Sequence, residues 1–224
     1  STPQRSLTGE VRPRTIWGYW AQGYEALPEL FRLCVGTWRR HNPHWDVRIL
    51  DRTTLAEYLS EAELPNRFFD IASPQTQADS LRLALLARYG GVWLDCSVVL
   101  LSGLDAICWD AIRTGTRSAA AFYHPQYGSQ QLGGDDFVET WCLAGTPGDS
   151  FLLRWRDLIK EVMHNRIGTN GLLTHPLFAG QEFPGLCRLN EEFPSHGDFR
   201  EHLLSQAMYQ RLLSMDAWSR SHWR

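Results

Sequence analysis

Residues 77–101, QADSLRLALLARYGGVWLDCSVVLL, constrain this chain most, because they prescribe a helix, a turn and a strand in immediate succession and leave a carboxylate at the strand's far end. From 78 to 89, Leu81, Leu85 and Tyr89 recur at helical spacing while Asp79 and Arg82 lie one turn apart on an adjacent face, which predicts an amphipathic helix. Gly90 and Gly91 follow, where a left-handed backbone costs glycine nothing, and turn the chain into the apolar run Val92-Trp93-Leu94. That run predicts a buried strand. Asp95 closes it, at the kind of position where open α/β sheets hold their ligands.

The residues upstream repeat the rhythm. Residues 15–20 are aromatic and β-branched and predict a first strand, broken at Ala21-Gln22-Gly23. Pro28 opens a helix whose apolar residues keep helical spacing until Asn42-Pro43, and a strand over 45–50 follows. A short helix through Leu59 and a helical turn around Phe68 lead to Asp79. Downstream, 104–112 predicts a short helix, 118–123 a strand of small residues suited to a crowded sheet centre, 137–144 a strand and 151–163 a helix. Residues 124–136, rich in Gly, Gln and Tyr, predict a functional loop that covers or receives the acceptor. The expected architecture is one α/β domain over 15–224, a mostly parallel sheet with helices on both sides, preceded by a polar tail over 1–14.

The Asp79-x-x-Arg82 pair followed by Tyr89-Gly90-Gly91-Val92-Trp93-Leu94-Asp95 resembles the sugar-binding segment of glycosyltransferases with the Rossmann-like GT-A fold. It is most similar to the capsular polysaccharide synthesis proteins and to the group holding the yeast initiating mannosyltransferases and clostridial toxin glucosyltransferases. Trp17-Gly18-Tyr19-Trp20-Ala21-Gln22 resembles the opening strand and base-contacting loop of the same proteins. Gly168-Thr169-Asn170-Gly171-Leu172-Leu173-Thr174-His175 is similar to a stretch near their donor site, and 137–141, FVETW, to another of their segments. The resemblance implies transfer of a sugar from a nucleotide-sugar donor to a saccharide or other hydroxyl acceptor, retaining, with Mn2+ or Mg2+. It implies donor contacts from Trp17, Tyr19, Trp20, Gln22, Asp79, Arg82, Gly91, Asp95, Cys96 and His175. Where relatives carry Asp-x-Asp this chain reads Asp95-Cys96-Ser97, so a metal would rest on Asp95 and the neutral Ser97.

Sugar transfer needs groups that hold the sugar hydroxyls, positive charge on the departing diphosphate and a dry site for the acceptor. Asp79 and Asp95 can accept hydroxyl hydrogen bonds with charge assistance, and Arg82 can hold Asp79 or meet a phosphate. Glu139, on a predicted strand, is a candidate positioning carboxylate or base, and Asp135, Asp136 and His175 are reserve metal or phosphate ligands. The bland alternatives stand beside these: an i, i+3 ion pair for Asp79 and Arg82, core packing for the aromatics, a satisfied hydrogen bond for Glu139. Two alternatives to metal-assisted transfer stay open, a transferase that holds the diphosphate with arginines and a domain that only binds a nucleotide-sugar or glycan.

Composition removes other classes. A net charge of −3 offers no clustered basic surface for nucleic acid. Five dispersed cysteines without a C-x-x-C pair form neither a disulfide framework nor a zinc knuckle, which favours a reducing, cytoplasmic setting, with a lumenal domain as the alternative. No apolar run is long enough to span a bilayer, which leaves peripheral membrane association open. No nucleophile elbow or paired Cys and His supports a hydrolase.

Overall fold

The computed structural model describes residues 11–128, 137–215 and 217–223. Its centre is a five-stranded sheet of β1 (Thr15–Tyr19), β2 (Asp46–Leu50), β3 (Gly91–Leu94), β4 (Ala119–Tyr123) and β5 (Val138–Gly145), in the order β2-β1-β3-β5-β4. β1 pairs in parallel with β2 and β3, whereas β5 runs antiparallel to both β3 and β4, so four strands share one direction and β5 opposes them. Helices connect and cover the sheet: α1 (Glu29–His41), α2 (Pro74–Tyr89), α3 (Asp110–Arg113), α4 (Ser150–Val162), α5 (Pro184–Glu192), α6 (Phe199–His202), α7 (Leu204–Met215) and α8 (Ala217–Trp223). The α/β architecture agrees with the expectation, and most predicted elements end within a few residues of the observed ones.

Two apolar layers sandwich the sheet. On one side Val35 and Trp38 of α1 pack with Ile16, Val92, Leu94, Leu104 and Trp109. On the other, α2, α4 and α7 pack over Trp17, Trp93 and Leu143. The alternation of a strand explains how neighbours such as Ile16 and Trp17 enter different layers.

Two expectations fail. Helix α2 is not amphipathic: its residues from Thr76 to Ala87 are buried except Ala78, because the helix is enclosed by the sheet, α4 and α7. It also starts earlier, with Ser73 accepting the Thr76 N–H and Pro74 in the first turn. β4 is not central but an edge strand, and its three alanines are half-buried.

The glycine pair serves packing. Gly91 has φ +95°, and a Cβ there would sit 2.4 Å from the Thr15 carbonyl oxygen, so β1 and β3 approach too closely for any side chain. Gly90, at φ +67°, would strike Pro147 and the Gly145 carbonyl. These contacts lie where β3 begins, at the opposite end from Asp95.

Candidate active site

Helix α2 and strand β3 meet head to tail through the glycine turn, so the first turns of α2 return to the carboxyl end of β3. Asp79 and Arg82 are thereby brought to Asp95, although thirteen residues separate Arg82 from it. Arg82 Nη2 lies 3.2 Å from Asp95 Oδ1 and 3.4 Å from Asp79 Oδ1. Its guanidinium carbon is 5.4 Å from the centre of the Trp93 ring, whose Nε1 donates to the same Asp95 Oδ1 at 2.7 Å. Arg82 Nη1 donates to the Thr140 hydroxyl, and Gln206 on α7 reaches that hydroxyl at 3.5 Å. The arginine is thus clamped from four sides, while Asp95 Oδ2 takes no hydrogen bond from the described residues.

This cluster opens onto a cleft of about 480 Å³ lined by Tyr19, Trp20, Gln22, Arg82, Asp95 and Ser97, among others. Its place, beyond the carboxyl ends of β1 and β3, is where an open α/β sheet offers ligands strand ends and loop backbone. Trp20 follows β1 and meets Phe31 of α1 edge to face at 5.5 Å, so one face of the cleft is aromatic. Tyr19 donates its hydroxyl to Gln77 Oε1 at 2.8 Å, and burial pushes that phenol's pKa up.

Burial also raises the carboxyl of Asp79, from 3.8 to about 6, against the pull of Arg82. The nearby Ser205 hydroxyl, which has no partner of good geometry among the described residues, lowers it slightly. Asp79 is 6% exposed and does not line the cleft; Asp95, with its side chain 35% exposed, does. The two carboxylates therefore differ: Asp79 stands behind Arg82 and Asp95 faces the ligand space.

The remaining sequence candidates divide. Trp20, Gln22, Cys96 and Ser97 reach the cleft with Tyr19. Cys96 turns its sulfur inward, 3.5 Å from the Tyr19 carbonyl, and burial pushes the thiol to about 12. Trp17 does not reach the cleft: it is fully buried, its Nε1 donating to the Gly90 carbonyl at 2.9 Å. Gly91 lies at the far end of β3. His175 stands apart too, half-buried, its Nδ1 accepting the Leu177 N–H at 3.2 Å, with burial lowering its pKa. Glu139, near the start of β5, is half-buried with its carboxyl pushed up by burial, and His124 opposes that shift. It does not line the cleft. Asp135 and Asp136 lie outside the described residues.

Sequence reasoning missed Thr140 and Gln206. Thr140 meets α2 and α7 while Cys142, two residues on, packs in the opposite layer. A regular strand would turn both the same way; the register break between Ala121 and Phe122, which pairs Phe122 with Glu139, accounts for the difference. Neither the break nor the approach of α7 leaves a local signal.

For a divalent metal the described residues supply Asp95 Oδ2 and the exposed Ser97 hydroxyl beside it. Among them no three His, Cys, Asp or Glu side chains converge, and the Cys96 sulfur turns inward to the Tyr19 carbonyl. Such a donor set fits Mn2+ or Mg2+ only where ligand oxygens and water complete the shell.

Comparison with known proteins places the chain. The family model described as capsular polysaccharide synthesis protein matches residues 2–175. The chain is 28% identical over 213 residues to the glycosyltransferase afumC of Aspergillus fumigatus, covering 89% of this chain and 54% of that protein. It is 26% identical over 185 residues to the O-glycosyltransferase braB of Annulohypoxylon truncatum, covering 78% and 43%. The chain thus spans about half the length of the curated relatives it matches. In fold it is similar to the PaToxG glycosyltransferase, with a TM-score of 0.50 at 13% identity, over 94% of this chain and 79% of that one.

Proposed function

The chain belongs to the capsular polysaccharide synthesis protein family, and on that premise we propose that it transfers a sugar from a nucleotide-sugar donor to a hydroxyl acceptor. The observation that carries this reading is the Asp95–Arg82–Trp93 cluster opening onto an aromatic-walled cleft at the strand ends. In it, Asp95 Oδ2 accepts hydrogen bonds from donor hydroxyls, held in one orientation because Trp93 and Arg82 fix Oδ1. Arg82 is the cation among the described lining residues, its charge shared with Asp79 and Asp95, and Asp79 and Thr140 hold its fork rigid. Trp20 supplies the face on which the base stacks.

We read the transfer as retaining because the family resemblance implies it; Asp95, bound to Arg82, is the carboxylate among the described lining residues. A divalent cation, when bound with the donor, would neutralise diphosphate charge, with Asp95 and Ser97 as its protein ligands. The neutral Ser97, where relatives carry the second motif carboxylate, also supports a second reading, in which arginine rather than metal meets the diphosphate.

The test is a panel of nucleotide-sugars scored for slow donor hydrolysis, with calorimetry of UDP and GDP with and without manganese. Turnover that depends on manganese supports the first reading, and turnover in excess chelator the second. Nucleotide binding without turnover of any donor would leave a binding domain, and neither binding nor turnover would end the transferase reading.

A further inference from the structure

We propose that a second crevice, at the end of the sheet opposite Asp95, binds an anionic saccharide. It holds about 410 Å³ where residues 11–13 cross the end of α2 and the turn at Pro147. Three separate segments each bring an arginine to it, Arg12, Arg88 and Arg113, and no acidic residue is among its described lining. Its floor is apolar and aromatic, with Trp109 and Ile112 buried and Tyr89 half-buried beneath it.

Two of the three charges, those of Arg12 and Arg113, can turn to a ligand. Arg12 makes no ion pair among the described residues. Arg113 is bound to Asp110 at 3.2 Å, but both side chains are more than half exposed, so that pair is weak and exchangeable. Arg88 is fixed by Glu63 at 2.8 Å and stands 5.4 Å over the Tyr89 ring, which orients its fork beside the crevice. Guanidinium forks suit carboxylate, sulfate or phosphate groups, and a flat apolar floor suits the C–H faces of sugar rings. Arginines around one crevice suit an anionic ligand, and the apolar floor favours a saccharide over a bare inorganic anion. Strands of four and five buried residues separate this crevice from the donor cleft by about 15 Å along the sheet, so the two sites are distinct.

The experiment titrates the intact chain with a heparin-derived octasaccharide, a neutral malto-octaose, inorganic phosphate and UDP. Binding of the charged octasaccharide that weakens with salt, with no binding of the neutral one, is expected. The double variant Arg12→Ala with Arg113→Ala should weaken it roughly tenfold while UDP affinity and melting temperature stay as in the wild type. No binding of the charged octasaccharide, or binding that the double variant leaves unchanged, would overturn the assignment. So would displacement by inorganic phosphate at equal charge concentration, which marks a simple anion site. UDP affinity reports on the donor cleft alone, so failure here and failure of the transferase reading are distinguishable.

Discussion

Arg82 Nη2 stands 3.2 Å from Asp95 Oδ1, joining the middle of a buried helix to the open end of a strand. Because the arginine is 3% exposed and has carboxylates on two sides, its charge is compensated inside the protein before any donor arrives. The partly exposed Asp95 is the member of the cluster through which a ligand would be sensed.

Asp95→Ala should lower donor turnover by about a hundredfold or more, the scale for removing a preorganised polar group from a reacting site. Its side chain is 35% exposed, and Arg82 keeps Asp79 and Thr140, so the fold should persist. Donor hydrolysis and a thermal melt check both halves; activity like the wild type's would remove Asp95 from the site.

Asp79 should make stability depend on pH. Its carboxyl lies near 3.8 when unfolded and at about 6 when folded, so between these values the folded state holds a proton that the unfolded state has released. Stability therefore falls as pH rises through that window, and the cost of ionising the buried group is fully present above about 6. Asp79→Asn cannot ionise, so its stability relative to the wild type should climb across the same window. Urea unfolding of both proteins at a series of pH values measures this, and parallel profiles would contradict it.

Two tryptophans three residues apart, Trp17 and Trp20, should behave differently. Trp20→Ala should weaken nucleotide binding by about 1–3 kcal/mol with little loss of stability, because Trp20 lines the cleft. Trp17→Ala should instead destabilise the protein by about 3–5 kcal/mol, because Trp17 is fully buried and bonded to the Gly90 carbonyl. Calorimetric nucleotide titration beside denaturant unfolding separates the two effects, and a Trp20 variant of normal affinity would return that side chain to a packing role.

Ser97→Asp should strengthen manganese binding in the absence of nucleotide, since it adds a charged oxygen ligand beside Asp95 on the cleft wall. In the wild type, manganese should bind appreciably only together with the diphosphate. Electron paramagnetic resonance of free manganese with and without UDP reads both, and equal affinity in the two proteins would show that the Ser97 position does not face a metal.

Where a feature is local, the sequence alone determines it. The helix, glycine turn and strand over 77–101 follow from helical spacing, two residues that tolerate positive φ and an apolar run, and together they put Asp95 at a strand end. The β1–α1–β2 rhythm is equally local. The tertiary structure alone decided which aromatic faces the cleft, since Trp17 and Trp20 sit in one short motif and differ only in which layer covers them. It also decided that α2 is buried all round, because α4 and α7 come from the far half of the chain. The clamp on Arg82 belongs to the same class: Thr140 meets Arg82 across 58 residues of sequence through a register break, and Gln206 of a late helix meets Thr140 across 66. Spacing reports the period of a single element, whereas the partner of a buried charge is set by how separate elements pack, and no short window of residues encodes that.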